Sequence, residues 1–224
     1  MPYTRIVTTR MRHSGWTLLE MIVVLAILSA LMAVMMPVLQ NARSKAKQTG
    51  CVSNLRQLAQ AMRLYASDWD GLWPCTGDRY LWTGRRWRPV LQPYVRERNA
   101  FWCPADHLSQ RQYDSTSYAY AQCFYHTDAS IASGDADALH TCVHAPEPRG
   151  EWEVVNPGGK VLLAEWFSAH ELPLRTLWAP DGSHTMVFAD GHARPVRLEQ
   201  LNRSVRGDRD PGWTHNGLSG IDLP

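Results

Sequence analysis

The chain has 224 residues, of which 45% are apolar and 20% charged, and its formal net charge is +2. Those values leave room for one sizeable core with an appendage, and they exclude a collagen-like, disordered or polybasic chain. The distribution is uneven, however. Residues 1–15 hold Arg5, Arg10 and Arg12 and no acid, so 20 basic residues face 21 acidic ones beyond them. The body is nearly neutral, and general attraction to nucleic acid is not expected.

From Trp16 to Met36 only Glu20 is charged, and Met21 to Met36 is apolar apart from Ser29. At 1.5 Å per residue these 21 residues cross a hydrocarbon layer of ~30 Å. A secretory signal has a shorter apolar region ended by a small-x-small triple. The nearest such triple, Ala42-Arg43-Ser44, lies among Arg43, Lys45 and Lys47 and makes a poor cleavage site. The segment therefore reads as a membrane helix, with its basic flank on the cytoplasmic side. Glu20 sits near the helix start, where its carboxylate either reaches the headgroups or needs a partner. Cleavage after Gly15 creates such a partner, a free amine at Trp16 on a neighbouring subunit.

Pro37 is expected to kink or locally melt the helix where the apolar run ends. Beyond it Cys51, Leu55, Leu58, Met62 and Tyr65 recur at steps of four and three, the pattern of an amphipathic helix over 38–70. Arg43, Lys45, Lys47, Arg56 and Arg63 lie mostly off that stripe and are expected in water. Gly71 and Pro74 mark the stop.

Residues 71–224 read as a strand-bearing head. Lys160–Trp166 and His184–Ala189 are short apolar runs bounded by Gly and Pro, which suits buried strands. Asp190-Gly191 is a hairpin signal of the type I′ kind, with positive φ expected at both positions. Residues 122–149 read as a loop insertion and 207–224 as an irregular, mobile tail. A long helix packed on a small antiparallel sheet is an α+β arrangement.

Ser14-Gly15-Trp16-Thr17-Leu18-Leu19-Glu20, a following apolar helix and Pro37 together resemble the N-terminal signal of type IV pilins and type II secretion pseudopilins. The resemblance implies that a prepilin peptidase cuts between Gly15 and Trp16 and methylates Trp16, although phenylalanine or methionine is usual at that position. It further implies that Glu20 and Pro37 serve assembly. The partners it implies are the peptidase, other copies of the chain, other pseudopilins, an inner-membrane assembly platform and the bilayer. The expected location is the bacterial inner membrane, single-pass, with the head periplasmic, and the expected role is structural rather than enzymatic.

A second resemblance covers most of the remainder. Cys51-Val52-Ser53-Asn54-Leu55-Arg56-Gln57-Leu58, Phe101-Trp102-Cys103-Pro104-Ala105-Asp106 and Val187-Phe188-Ala189-Asp190-Gly191-His192 resemble a pseudopilin-like family named for a C-terminal His-x9-Asp-Gly motif. Pro180 stands where that histidine would be, so its role does not transfer. The five cysteines are expected to face an oxidising compartment. Cys51 with Cys103, both inside the matched phrases, is the preferred bridge. Cys75 with Cys123 or Cys142 is the second, and a merely buried Cys51 is the alternative.

Other groupings are weaker. His140, Cys142 and His144 alternate as strand-borne zinc ligands would, but a fourth ligand is missing. Asp181, His184, Asp190 and His192 gather near the hairpin turn and offer donors to a hard cation such as calcium, yet no oxygen-rich loop of recognisable spacing surrounds them. No cofactor is expected. Arg79, Arg85, Arg86, Arg88, Arg96 and Arg98 interleave with Tyr80, Trp82, Trp87 and Tyr94. This 79–98 segment either anchors a loop, with the aromatics packed inward, or makes the chain a membrane-anchored module that binds nucleic acid or another ligand. The first reading is preferred. No nucleophile or phosphate-loop motif occurs, and Glu165 beside Trp166 reads as an edge or lumen position.

Overall fold

The computed structural model describes residues 16–106, 108, 116–171, 174–177 and 179–224. It divides into two compact units, Met1–Arg43 and Ser44–Pro224. One helix, α1 (Leu18–Asp68), contributes to both.

In the first unit the large apolar side chains of α1 from Leu18 to Leu39 are exposed. The helix is long and apolar enough to cross a membrane. The helix runs unbroken through Pro37, so the melting expected there does not occur. Proline withdraws only its own N–H and frees a single carbonyl four residues back, and the surrounding ladder persists.

The second unit is an α+β head. The part of α1 within it buries Cys51, Leu55, Leu58, Ala59, Ala61, Met62, Tyr65 and Ala66, the stripe the periodicity predicts. Its end differs in detail. The left-handed turn falls on Asp70 (φ 52°) as well as Gly71 (φ 77°), and the Gly71 N–H bonds back to the Ala66 carbonyl at 2.7 Å, closing the last turn. Arg56 and Arg63 do not simply face water: they donate to the carbonyls of Ala193 (3.3 Å) and Ala189 (3.1 Å), at and beside the β3–β4 turn described below.

The sheet has four antiparallel strands in sequential order: β1 (Tyr118–Tyr120), β2 (Val161–Glu165), β3 (Ser183–Phe188) and β4 (Ala193–Arg197). β2 and β3 fall on the two predicted apolar runs, and every β2 residue is buried, as befits an interior strand. Pro195 lies on β4, an edge strand, where its missing donor costs no ladder bond. The β3–β4 turn is not type I′. Only Gly191 has positive φ (90°), Gly191 N–H donates to Phe188 O at 2.8 Å, and Phe188 N–H donates to His192 O at 3.0 Å. That is a three-residue loop, a type I turn followed by a left-handed glycine, and it lets Asp190 keep an ordinary φ.

The 122–149 segment and the tail both belong to the core. The first contains a 3-10 turn (Gln122–Phe124) and helix α3 (Asp128–Ala132), and it buries Cys123, Phe124, Tyr125 and Ile131. Arg149 fastens its end, donating to His126 O (2.6 Å), Asp128 (2.8 Å) and Glu153 (2.7 Å). The tail buries Trp213, Leu218 and Leu223. Its Asp222 accepts from the Val161 N–H (2.8 Å) and the Thr214 hydroxyl and lies 3.6 Å from Lys160 Nζ, which donates to Gly217 O at 2.6 Å. Burial pushes the Asp222 carboxyl above its ordinary range, while Lys160, Thr214 and Val161 pull the other way. Glycine and aspartate made the tail look irregular, but these long-range partners order it.

Burial holds the fully enclosed imidazoles of His126 and His184 down to about 4, from an ordinary 6.5. Between those values the unfolded state of each histidine binds more protons than the folded one, so their contribution to stability is full above about pH 6.5 and is lost as pH is lowered toward 4, whereas Asp210, pushed up to about 7 by burial, contributes in the opposite sense over the same range. The loss is on the order of 3 kcal/mol per histidine. Urea unfolding across that range should show the slope, and His126→Leu should flatten it; an unchanged slope in the variant would contradict the assignment.

Candidate functional site

The N-terminal end of α1 carries the residues singled out for processing and assembly. Gly15 lies outside the described residues, and Trp16 immediately precedes the helix with its ring exposed. Thr17 is the N-cap. Its backbone N–H donates to Glu20 Oε2 at 2.8 Å, its hydroxyl donates to the same oxygen at 2.9 Å, and the Glu20 N–H donates to Thr17 Oγ1 at 3.2 Å. This is a capping box, in which side chains at the N-cap and three residues on satisfy each other's orphan donors. In the single chain, then, Glu20 has a partner of its own. The Thr-x-x-Glu pattern before an apolar run is the sequence signal for it, and Thr17 is the residue that the pairing argument for Glu20 overlooked.

The second grouping is in the head. Cys51, on the buried face of α1, and Cys103, just after the 3-10 turn Arg98–Phe101, form a disulfide. Cys75, Cys123 and Cys142 are free, so the second bridge suggested by the sequence does not form. The Cys123 thiol is buried and pushed up to about 12 by desolvation. The Cys142 thiol instead points to Ser130 O at 3.8 Å.

Two residues lie against the disulfide: His170, which the sequence did not mark, and Glu165, which it placed elsewhere. His170 Nε2 is 3.5 Å from Cys103 Sγ and 3.3 Å from Glu165 Oε1. Glu165 is at neither an edge nor a lumen: it is 1% exposed at the end of an interior strand, and Oε2 accepts the Thr185 N–H at 2.7 Å. Nothing local in sequence relates His170 or Glu165 to the cysteines, and only the fold does.

The weaker groupings do not assemble. Asp181 pairs with Arg175 at 3.2 Å. His184 is buried against Glu165 O at 3.0 Å, and Asp190 holds His192 at 2.6 Å. Among the described residues these four do not converge on a point. His144 pairs with Asp135 at 3.4 Å, away from any cluster with Cys142.

In the 79–98 segment the aromatics turn inward. Trp82 and Trp87 are buried, the latter on helix α2 (Gly84–Leu91). Trp82 Nε1–H donates to Thr141 at 2.7 Å, and its ring meets Trp166 edge-on at 4.9 Å. Arg79 and Arg86 pair with Asp137 and Asp78. The two buried tryptophans offer no face for stacking bases, which favours the anchoring reading of this segment, while Tyr80 and Tyr94 are half-buried.

The disulfide closes a sequence separation of 52 residues. By loop-closure entropy its loss costs about 4 kcal/mol. Cys103→Ser should therefore lower the unfolding free energy by about that amount, measured by urea titration in detergent, and reductant should lower the wild type equally but leave the variant unchanged.

No curated protein and no solved structure matches the chain. Residues 10–36 match the model of the prokaryotic N-terminal methylation motif, which supports the resemblance of this segment to the N-terminal signal of type IV pilins and pseudopilins.

Proposed function

We propose that the chain is the precursor of a structural subunit of a type II secretion pseudopilus or type IV pilus-like filament. Prepilin peptidase cleaves it after Gly15, Trp16 is methylated, and the mature subunits associate through the apolar part of α1 with one another and with other pseudopilins on an inner-membrane platform. The head lies on the periplasmic side. The observation that carries this reading is the methylation motif at residues 10–36, which overlaps the part of α1, Leu18 to Leu39, whose large apolar side chains are exposed among the described residues. Such a surface needs lipid before assembly and neighbouring helices after it.

The capping box supports a two-step role for Glu20. In the isolated subunit Thr17 shields the carboxylate. During docking the Trp16 amine of a neighbour replaces part of that shell, and the ion pair fixes register more than it adds stability. No enzymatic step is proposed.

Co-expression with a prepilin peptidase should remove residues 1–15 and shift the wild type on a gel, whereas Gly15→Leu should keep its full mass. A wild type of unchanged mass would overturn the proposal. Pairs of cysteines introduced along residues 17–35 should give intermolecular cross-linked ladders in membranes. Those ladders should collapse to monomer in the Glu20→Ala background, and ladders independent of Glu20 would remove the assigned role.

A further inference from the structure

We propose that Cys51, Cys103, His170 and Glu165 form a tetrahedral zinc site whenever the two cysteines are reduced. The Sγ atoms, an imidazole nitrogen and a carboxylate oxygen all lie within 4.8 Å of one another. Both cysteines and Glu165 are at most 2% exposed, and the His170 side chain is 5% exposed. Bond lengths of about 2.3 Å to sulfur and about 2.0 Å to nitrogen and oxygen give tetrahedral edges of about 3.5 Å for S···N and about 3.3 Å for N···O. The distances from His170 Nε2 to Cys103 Sγ and to Glu165 Oε1 are 3.5 Å and 3.3 Å. Two edges of the coordination polyhedron thus stand in place while the sulfurs are still bonded to each other. On reduction the sulfurs need only separate to an edge of about 3.8 Å.

The donor set selects the metal. Two thiolates and an imidazole suit zinc and reject calcium and magnesium, which take oxygen ligands. Charge points the same way, since two buried thiolates beside a buried carboxylate call for a dication. A Cys-His-Glu nucleophile can be set aside, because thiols this enclosed offer no path to a substrate. The four ligands come from α1, from the segment after the 3-10 turn Arg98–Phe101, from β2 and from the β2–β3 loop. The metal and the disulfide therefore tie α1 to the same part of the head, one in the reduced chain and the other in the oxidised chain.

A newly made chain carries both thiols, so the site needs no reductant at that stage. Zinc displaces the two thiol protons and forms two Zn–S, one Zn–N and one Zn–O bond. A disulfide oxidant later releases the ion: by thiol–disulfide exchange the Cys51–Cys103 bond forms, and the oxidant's own S–S bond is reduced to two thiols that take their protons from water. Under mild denaturant, which opens the enclosed disulfide, a phosphine reverses this: it attacks one sulfur, takes the oxygen of one water, becomes the phosphine oxide, and leaves the two protons on the separated sulfurs.

The test uses the full chain in detergent micelles, with cobalt(II) as the spectroscopic probe and zinc as competitor. Phosphine-reduced protein should bind one cobalt per chain, with the thiolate charge-transfer band and strong visible bands of a tetrahedral site, and zinc should bleach them. Oxidised protein should bind none. His170→Ala and Glu165→Gln, folded as the disulfide forms before reduction, should each weaken zinc roughly 100-fold after reduction. Zinc should also raise the melting temperature of the reduced chain and leave the oxidised chain unmoved. Equal cobalt uptake by the Cys51→Ser/Cys103→Ser double variant would overturn the proposal by assigning the metal to the other cysteines. So would a reduced chain that binds no stoichiometric metal, or one that unfolds and is not refolded by zinc.

Discussion

The helix from Leu18 to Asp68 must satisfy two different surroundings along one continuous hydrogen-bonded backbone. In its first part the large apolar side chains from Leu18 to Leu39 are exposed among the described residues, so in an apolar medium backbone groups there can be satisfied only within the helix itself. That requirement accounts for the closed capping box at Thr17 and Glu20, which occupies donors that lipid could not. Pro37 runs against that requirement by freeing one carbonyl, and it falls at the end of the apolar run, just before Gln40 and Asn41. The later part of the helix has a single apolar stripe, and the head is built on that stripe.

The head's sheet is too small to close a core unaided. Its strands are three to six residues long, and β1 contributes only Tyr118–Tyr120. Cover comes from segments with little regular structure, namely residues 122–149 and the tail, which bring Phe124, Tyr125, Trp213 and Leu218 to the interior. Irregular backbone has no ladder to satisfy its polar groups, so buried charges do that work. Arg149 gathers a carbonyl and two carboxylates, and Lys160 with Asp222 gathers two backbone groups and a hydroxyl. Such pairs add little net stability over apolar packing, but each is costly to break and so fixes one arrangement.

What could be read from sequence follows from this division. The stripe from Cys51 to Tyr65, the strands at Val161 and Ser183 and the Asp190-Gly191 turn are local patterns, and all are present, although the turn is of another type. Thr17 was legible in principle, but the unusual charge of Glu20 directed attention outward to a neighbour. The tail was not legible, because its order depends on Lys160, 57 residues before Gly217. The placement of Glu165 and His170 beside Cys103 is likewise a product of sheet register and loop path. Residue spacing carries no trace of it.

The clamp between Lys160 and Asp222 also orders events in time. An interior strand of the sheet takes its first backbone partner from a residue 61 positions later. The core cannot close until that residue has been synthesised, and non-local pairings of this kind are late steps in folding. By then the apolar end of α1 has long since emerged. The apolar end of α1 is therefore complete well before the head that follows it can close.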